Sequence, residues 1–150
     1  MASHRPDSIH DMLRLALALA EDNPGGALTL LEEAFQKARR EGDEHGAASI
    51  ARHAGLLSAE EGDFGRAQRY YKAVRRDDPT GPYPYLALAD VFERQKMFKD
   101  AAACFKTAEY LANEAGDVEL ASAAASALRR VRERLPNNER NGSETDDESE

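Results

Sequence analysis

The sequence predicts an all-α protein, an α-solenoid of about three stacked helical hairpins closed by a C-terminal helix, seven helices in all. Three observations predict it. Alanine supplies 27 of the 150 residues and leucine 15, whereas valine, isoleucine and threonine together supply 10. Small and straight-chain residues lose little freedom in a helix and β-branched ones lose more, so an all-β fold is excluded. Small and bulky apolar residues also recur at a spacing of 34 residues. Finally, Gly42-Asp43, Gly62-Asp63 and Gly116-Asp117 each separate two apolar-periodic runs. Glycine suits the left-handed residue just past one helix, and aspartate suits the N-cap of the next.

The elements follow in order. Ser8-x-x-Asp11 resembles a capping box opening a helix over 9–21. The Leu/Ala alternation of 15–20 imitates a strand, but Leu13, Ala16, Leu17 and Ala20 form a helical stripe and the all-helical context decides. Asn23-Pro24 is a cap followed by proline in the first turn and opens a helix over 25–41. The Gly-Asp pairs then bracket helices over 44–61 and 64–76. Pro79, Pro82 and Pro84 break the chain before a helix over 83–95. Helices over 98–115 and 118–134 complete the set.

The recurrence is carried by packing positions. Gly55, Gly62, Asp63, Phe64, Ala67, Tyr71 and Pro79 shifted by 34 give Ala89, Lys96, Met97, Phe98, Ala101, Phe105 and Asn113. Small falls on small and aromatic on aromatic where helices must meet. Ala27, Ala67 and Ala101 are each followed four residues later by a bulky residue, Leu31, Tyr71 and Phe105. That spacing puts both on one helical face, and antiparallel helices approach closely where small meets large. A lone hairpin leaves the face open, so the units must stack. Ala27 lies 40 residues before Ala67, so the first spacing is longer by six.

Charge and composition narrow the function. The net charge is −8, of which −5 falls in Asn137–Glu150. Residues 136–150 contain almost nothing to bury and are expected to be a disordered acidic tail, solubilising or a binding arm for a basic partner, with Ser143 and Thr145 as phosphorylation candidates. Residues 1–7 are expected to be flexible. The repeat domain then spans residues 8–135. A single cysteine, Cys104, excludes an internal disulfide framework and fits a reducing, cytoplasmic setting. No apolar run is long enough to span a bilayer, and Leu15–Ala20 is too short for a signal core.

Residues 48–81 resemble a tetratricopeptide repeat (TPR) through Gly55, Gly62-Asp63-Phe64, Ala67, Tyr70-Tyr71 and Asp78-Pro79. Residues 82–115 resemble a second full copy through Tyr85, Leu88, Ala89, Phe92, Phe98, Ala101, Phe105 and Ala108. Residues 8–41 resemble a degenerate first copy, and residues 117–134 are similar to the solvating helix that closes such arrays. Val74 and Asn113 depart from the alanine and proline of the pattern.

The resemblance implies a right-handed superhelix whose first helices line a concave groove for a peptide or helix of another protein, a non-enzymatic adaptor or scaffold. Carried over by position, the groove residues are Met12, Leu13 and Ala16; Ser49, Arg52, His53, Leu56 and Glu60; Tyr83, Leu86, Ala87, Asp90 and Arg94; and Leu120, Ala124 and Leu128. An apolar floor with scattered charge suits a partly hydrophobic segment. The paired Lys and Asn with which some repeats hold a C-terminal carboxylate are missing, so acidic tails of heat-shock chaperones are not expected to bind. The chain is also similar to type III secretion translocator chaperones in size and over Ala101–Arg132, but the first spacing and acidic tail depart from them. An enzyme subunit is the remote alternative.

Catalytic constellations are missing from the sequence, and no cofactor or metal is expected. His45 and His53 are eight residues apart, over two helical turns, too far to share a ligand. No phosphate loop or nucleophile elbow occurs. Without Met1, the start Ala-Ser-His4 could chelate Cu(II) or Ni(II), a pattern short termini reach by chance. Glu32-Glu33 and Glu60-Glu61 read as solvated outer-face charge, and Cys104 as a small core residue. Arg39-Arg40, Arg75-Arg76 and Arg129-Arg130 fall in last helical turns, where cations complement the dipole, so nucleic acid is not expected as a partner. Ala121, Ala124, Ala125, Leu128, Val131 and Leu135 line one side of the last helix. Part of that stripe must cover the third repeat, and the rest could pair with another copy.

Overall fold

A computed structural model of the chain describes residues 8–140. Those residues hold seven α-helices and no strand: α1 (Ile9–Leu19), α2 (Pro24–Arg40), α3 (Glu44–Glu60), α4 (Phe64–Asp77), α5 (Tyr83–Arg94), α6 (Phe98–Glu114) and α7 (Val118–Arg132). Every expected helix is present, and no end moves by more than two residues. None of these helices is long and apolar enough to cross a membrane. The expectations for residues 1–7 and for 141–150 lie outside the described residues.

Local chemistry sets the helix ends. Asn23, Asp43, Asp63 and Asp117 accept hydrogen bonds from the backbone N–H groups of Gly26, Gly46, Arg66 and Leu120 at 2.8–3.2 Å, and the Ser8 hydroxyl accepts from Asp11 at 3.0 Å. Each satisfies a donor that the first turn leaves without an intrahelical acceptor. Four connections share one geometry. A left-handed residue (Gly42, Gly62, Lys96 or Gly116, φ between 61° and 81°) is followed by a residue whose N–H reaches five positions back. Those bonds are Asp43 to Ala38, Asp63 to Ser58, Met97 to Phe92 and Asp117 to Ala112, at 2.8–2.9 Å. They close the helix ends as Schellman turns. The α1–α2 connection differs. It has no left-handed residue, and the Asn23 N–H reaches only four back, to Leu19 at 2.7 Å.

The packing of the helices falls into two compact units, one ending at Pro79 and one beginning at Thr80, where the sequence reading expects a single repeat domain over 8–135. In the first unit α1 packs on α2, α2 on α3 and α3 on α4. Its core joins Met12 and Ala16 to Ala27, Leu31, Phe35, Ile50, Ala54, Leu57 and Tyr70. Each large side chain in it contributes roughly 1.5–3 kcal/mol by leaving water. The alanines contribute mainly by letting helix backbones come close. In the second unit α6 packs on both α5 and α7, around Ala89, Ala101, Phe105, Leu128 and Val131.

Arg140 folds back on the end of α7: its Nε donates to the Leu135 carbonyl at 2.9 Å and its guanidinium to the Glu133 carbonyl at 3.2 Å. The Glu133 carbonyl, at the C-cap of α7, would otherwise be left to water.

Candidate binding surface

The α3 helix presents one polar-apolar stripe. Ser49, Arg52, Leu56 and Glu60 are exposed and His53 is half-buried, while Ile50, Ala54 and Leu57 on the other side enter the core. Spacings of three and four residues keep the stripe on one face. Leu56 is 49% exposed in its middle, a large apolar side chain given to solvent. Burial, with the Arg52 charge beside it, holds the His53 imidazole below its ordinary value.

On α1 the structure corrects two expected groove residues. Met12 is 7% exposed and Ala16 is 0% exposed; both belong to the core of the first unit. The cause is the tight α1–α2 turn. Ala16 precedes its cap, Asn23, by seven residues, whereas Gly55 precedes Asp63 by eight and Ala89 precedes Met97 by eight. One residue fewer rotates the register of α1 by about 100°. Ala16 thereby takes the buried place of Gly55, and Leu17, 47% exposed, takes the place of Leu56. Leu13, one turn earlier, is half-buried. The expected groove set leaves out Leu17, a large apolar side chain exposed on α1. Its signal was the missing glycine before Asn23.

In the second unit α5 carries Tyr83, Leu86 and Ala87 half-buried and Asp90 and Arg94 exposed, with Arg94 Nε 3.1 Å from Asp90 Oδ2. On α7 two further expectations are corrected. Ala124 is 1% exposed and Leu128 6%, and Leu128 packs with Ala101 and Phe105 of α6. Leu120 is half-buried. The last helix of an array must cover the helix before it. Accordingly Ala121, Val131 and Leu135 of its stripe are buried as well, and Ala125 is half-buried.

One carboxylate leaves its expected place. Glu33 is exposed as expected, but Glu32 is half-buried on α2 and accepts hydrogen bonds from the Tyr70 hydroxyl of α4 and from Gln36 Nε2. Burial alone would raise its carboxyl. The bonds from Gln36 and Tyr70 and the charges of Arg69 and Arg66 outweigh that and hold it below the ordinary value. Burial, then the Glu32 bond and charge, push the Tyr70 hydroxyl upward. The Tyr70 ring meets Phe35 edge-on at 5.5 Å. The pair is 38 residues apart in sequence, so no local pattern announces it. It is a brace between α2 and α4.

Residues 58–123 match the family model described as a tetratricopeptide repeat. No curated protein matches the chain. The matched stretch runs from the last turn of α3 through α4, α5 and α6 into α7, across three of the four connections that share one geometry and the small-to-large spacings Ala67 to Tyr71 and Ala101 to Phe105. Over that stretch, 66 of its 150 residues, the chain is similar to the tetratricopeptide repeat.

Proposed function

We propose that the protein is a non-enzymatic adaptor whose first-helix faces take a partly apolar segment of another protein. The family supports a protein–protein interaction module in general. The observation that carries the finer reading is the pair Leu17 and Leu56, two leucines at the same register place of α1 and α3, each about half exposed. Leucine holds that place in α1 and α3, whereas Asp90 holds it in α5, so the apolar face belongs to the first unit. Arg14 lies beside Leu17, and Arg52 and Glu60 flank Leu56, so the segment that fits is amphipathic and carries acidic residues.

The test is affinity capture with identification of the retained protein, followed by Leu17→Glu with Leu56→Glu. Both sites are exposed, so the helical spectrum should persist. The partner should be lost from the double variant and kept by Leu15→Glu, which alters a leucine 43% exposed but off that register. Retention of the partner by the double variant would overturn the reading.

A further inference from the structure

The α5–α6 connection breaks two rules that its three counterparts obey. Its left-handed residue is Lys96 (φ 61°) where the others use glycine. A side chain in that conformation crowds its own backbone. Its N-cap residue is Met97, with no side-chain cap, where the others use aspartate. Its backbone there (φ −91°, ψ 70°) nonetheless matches that of Asp63 (φ −89°, ψ 77°), so aspartate would fit. Strain and a missing cap persist where something other than folding selects the residues.

Both residues line a depression of about 330 Å³ within the second unit. Lys99 and Arg134 share its wall, and the Arg134 guanidinium sits 4.7 Å over the Phe98 ring, held in place by that stack. Asp100 and Glu139 are the acids of the lining, so cations exceed anions by three to two. Replacing the usual aspartate by Met97 removes one more anion from this rim.

The described chain ends next to this rim, since Arg140 is tied to the carbonyls of Leu135 and Glu133. The ten residues that follow contain Glu144, Asp146, Asp147, Glu148 and Glu150 and no base. At roughly 3.3 Å per extended residue they reach about 30 Å. A tether this short gives an effective concentration in the millimolar range. We propose that the depression at Lys96, Lys99 and Arg134 is the docking place of the chain's own acidic C-terminal segment, residues 144–150. A partner's acidic segment that uses the same cations must displace it.

The experiment uses the full chain. In one variant Glu144, Glu148 and Glu150 become Gln and Asp146 and Asp147 become Asn. Its backbone amide resonances should move at Lys96, Met97, Lys99 and Arg134 and stay in place through α1–α4. Raising the salt should carry the unaltered protein toward the same positions, because exposed charge pairs are screened. A nitroxide on Glu150→Cys, with Cys104→Ala, should broaden Lys96 and Lys99 more than Gly116 and Asp117 at the other end of α6. Unmoved resonances in the neutralised variant, uniform broadening, or broadening passed only between copies in a mixed sample would each overturn the proposal.

Discussion

The Tyr71 ring occupies the space a side chain at Gly55 would need. A Cβ built on Gly55 would lie 2.7 Å from Tyr71 Cε1 and 2.9 Å from Cζ. Both residues are buried, with Tyr71 2% exposed, so neither the ring nor the α3 backbone has room to yield. This contact is the crossing point of the α3–α4 hairpin. Thirty-four residues on, Ala89 and Phe105 hold the same places, one methyl larger on one helix and one hydroxyl smaller on the other.

Gly55→Ala should therefore cost about 1–3 kcal/mol, as overpacked cores do, in spite of alanine's better helix propensity. Gly65→Ala is the control. It lies in the first turn of α4, where an added methyl would meet nothing within 4 Å, and should gain up to about 1 kcal/mol. Urea denaturation of the two variants measures both changes. Equal stabilities for the two glycine variants would show that the crossing is loose.

The shared turn geometry makes a second prediction. Lys96→Gly should stabilise by about 0.5–1 kcal/mol, the relief of a left-handed side chain less the entropy glycine adds to the unfolded chain. Gly62→Ala, at φ 81°, should cost about 1–2 kcal/mol. Met97→Asp should gain about 1 kcal/mol by capping α6. Thermal melts of the three variants check the signs. A loss with Lys96→Gly would mean that the lysine side chain itself holds the turn.

Most of the fold was legible because its determinants are local. Gly-Asp pairs, Asn23-Pro24 and the spacing from Ala67 to Tyr71 each act within one turn or one hairpin, and the helices stand where those signals put them. The errors were non-local or cumulative. Counting Met12 and Ala16 into the groove assumed that every turn has the same length, and one missing residue before Asn23 turned α1 far enough to exchange Ala16 for Leu17. Ala124 and Leu128 were misplaced because the last helix has nothing beyond it and gives its stripe to α6. Glu32 looked like solvated charge because its partner, Tyr70, lies one hairpin away.

Ser58 gives a third prediction. It is 0% exposed, and its Oγ has no hydrogen-bond partner among the described residues. A buried hydroxyl left without a partner costs about 1–3 kcal/mol, and alanine at the same place removes the polar atom while changing the volume little. Ser58→Ala should raise stability by about 1 kcal/mol, read as a higher denaturation midpoint with unchanged slope. A loss of that size would reveal a bound water or a rotamer that bonds the preceding turn.

The Glu32–Tyr70 brace predicts a pH dependence with a definite sign on each side. The Glu32 carboxyl is held below 4.5 in the folded protein, so as pH falls through that value the unfolded chain takes up protons first and stability is lost. The Tyr70 hydroxyl is held above 10.0, so its contribution is complete below that pH and is lost as pH rises past it. Tyr70→Phe removes the donor but leaves Glu32 half-buried, and burial then acts to raise the carboxyl. The variant should be less stable at pH 7 by about 1–2 kcal/mol, the scale of a hydrogen bond to a charged group at a partly buried site. Its loss of stability between pH 5 and 3 should be shallower than that of the unaltered protein, and its alkaline loss above pH 10 should be smaller. Glu32→Gln should flatten the acid side in the same way while keeping an acceptor for Tyr70. Unfolding free energies measured across pH would contradict the brace if the three proteins traced parallel curves.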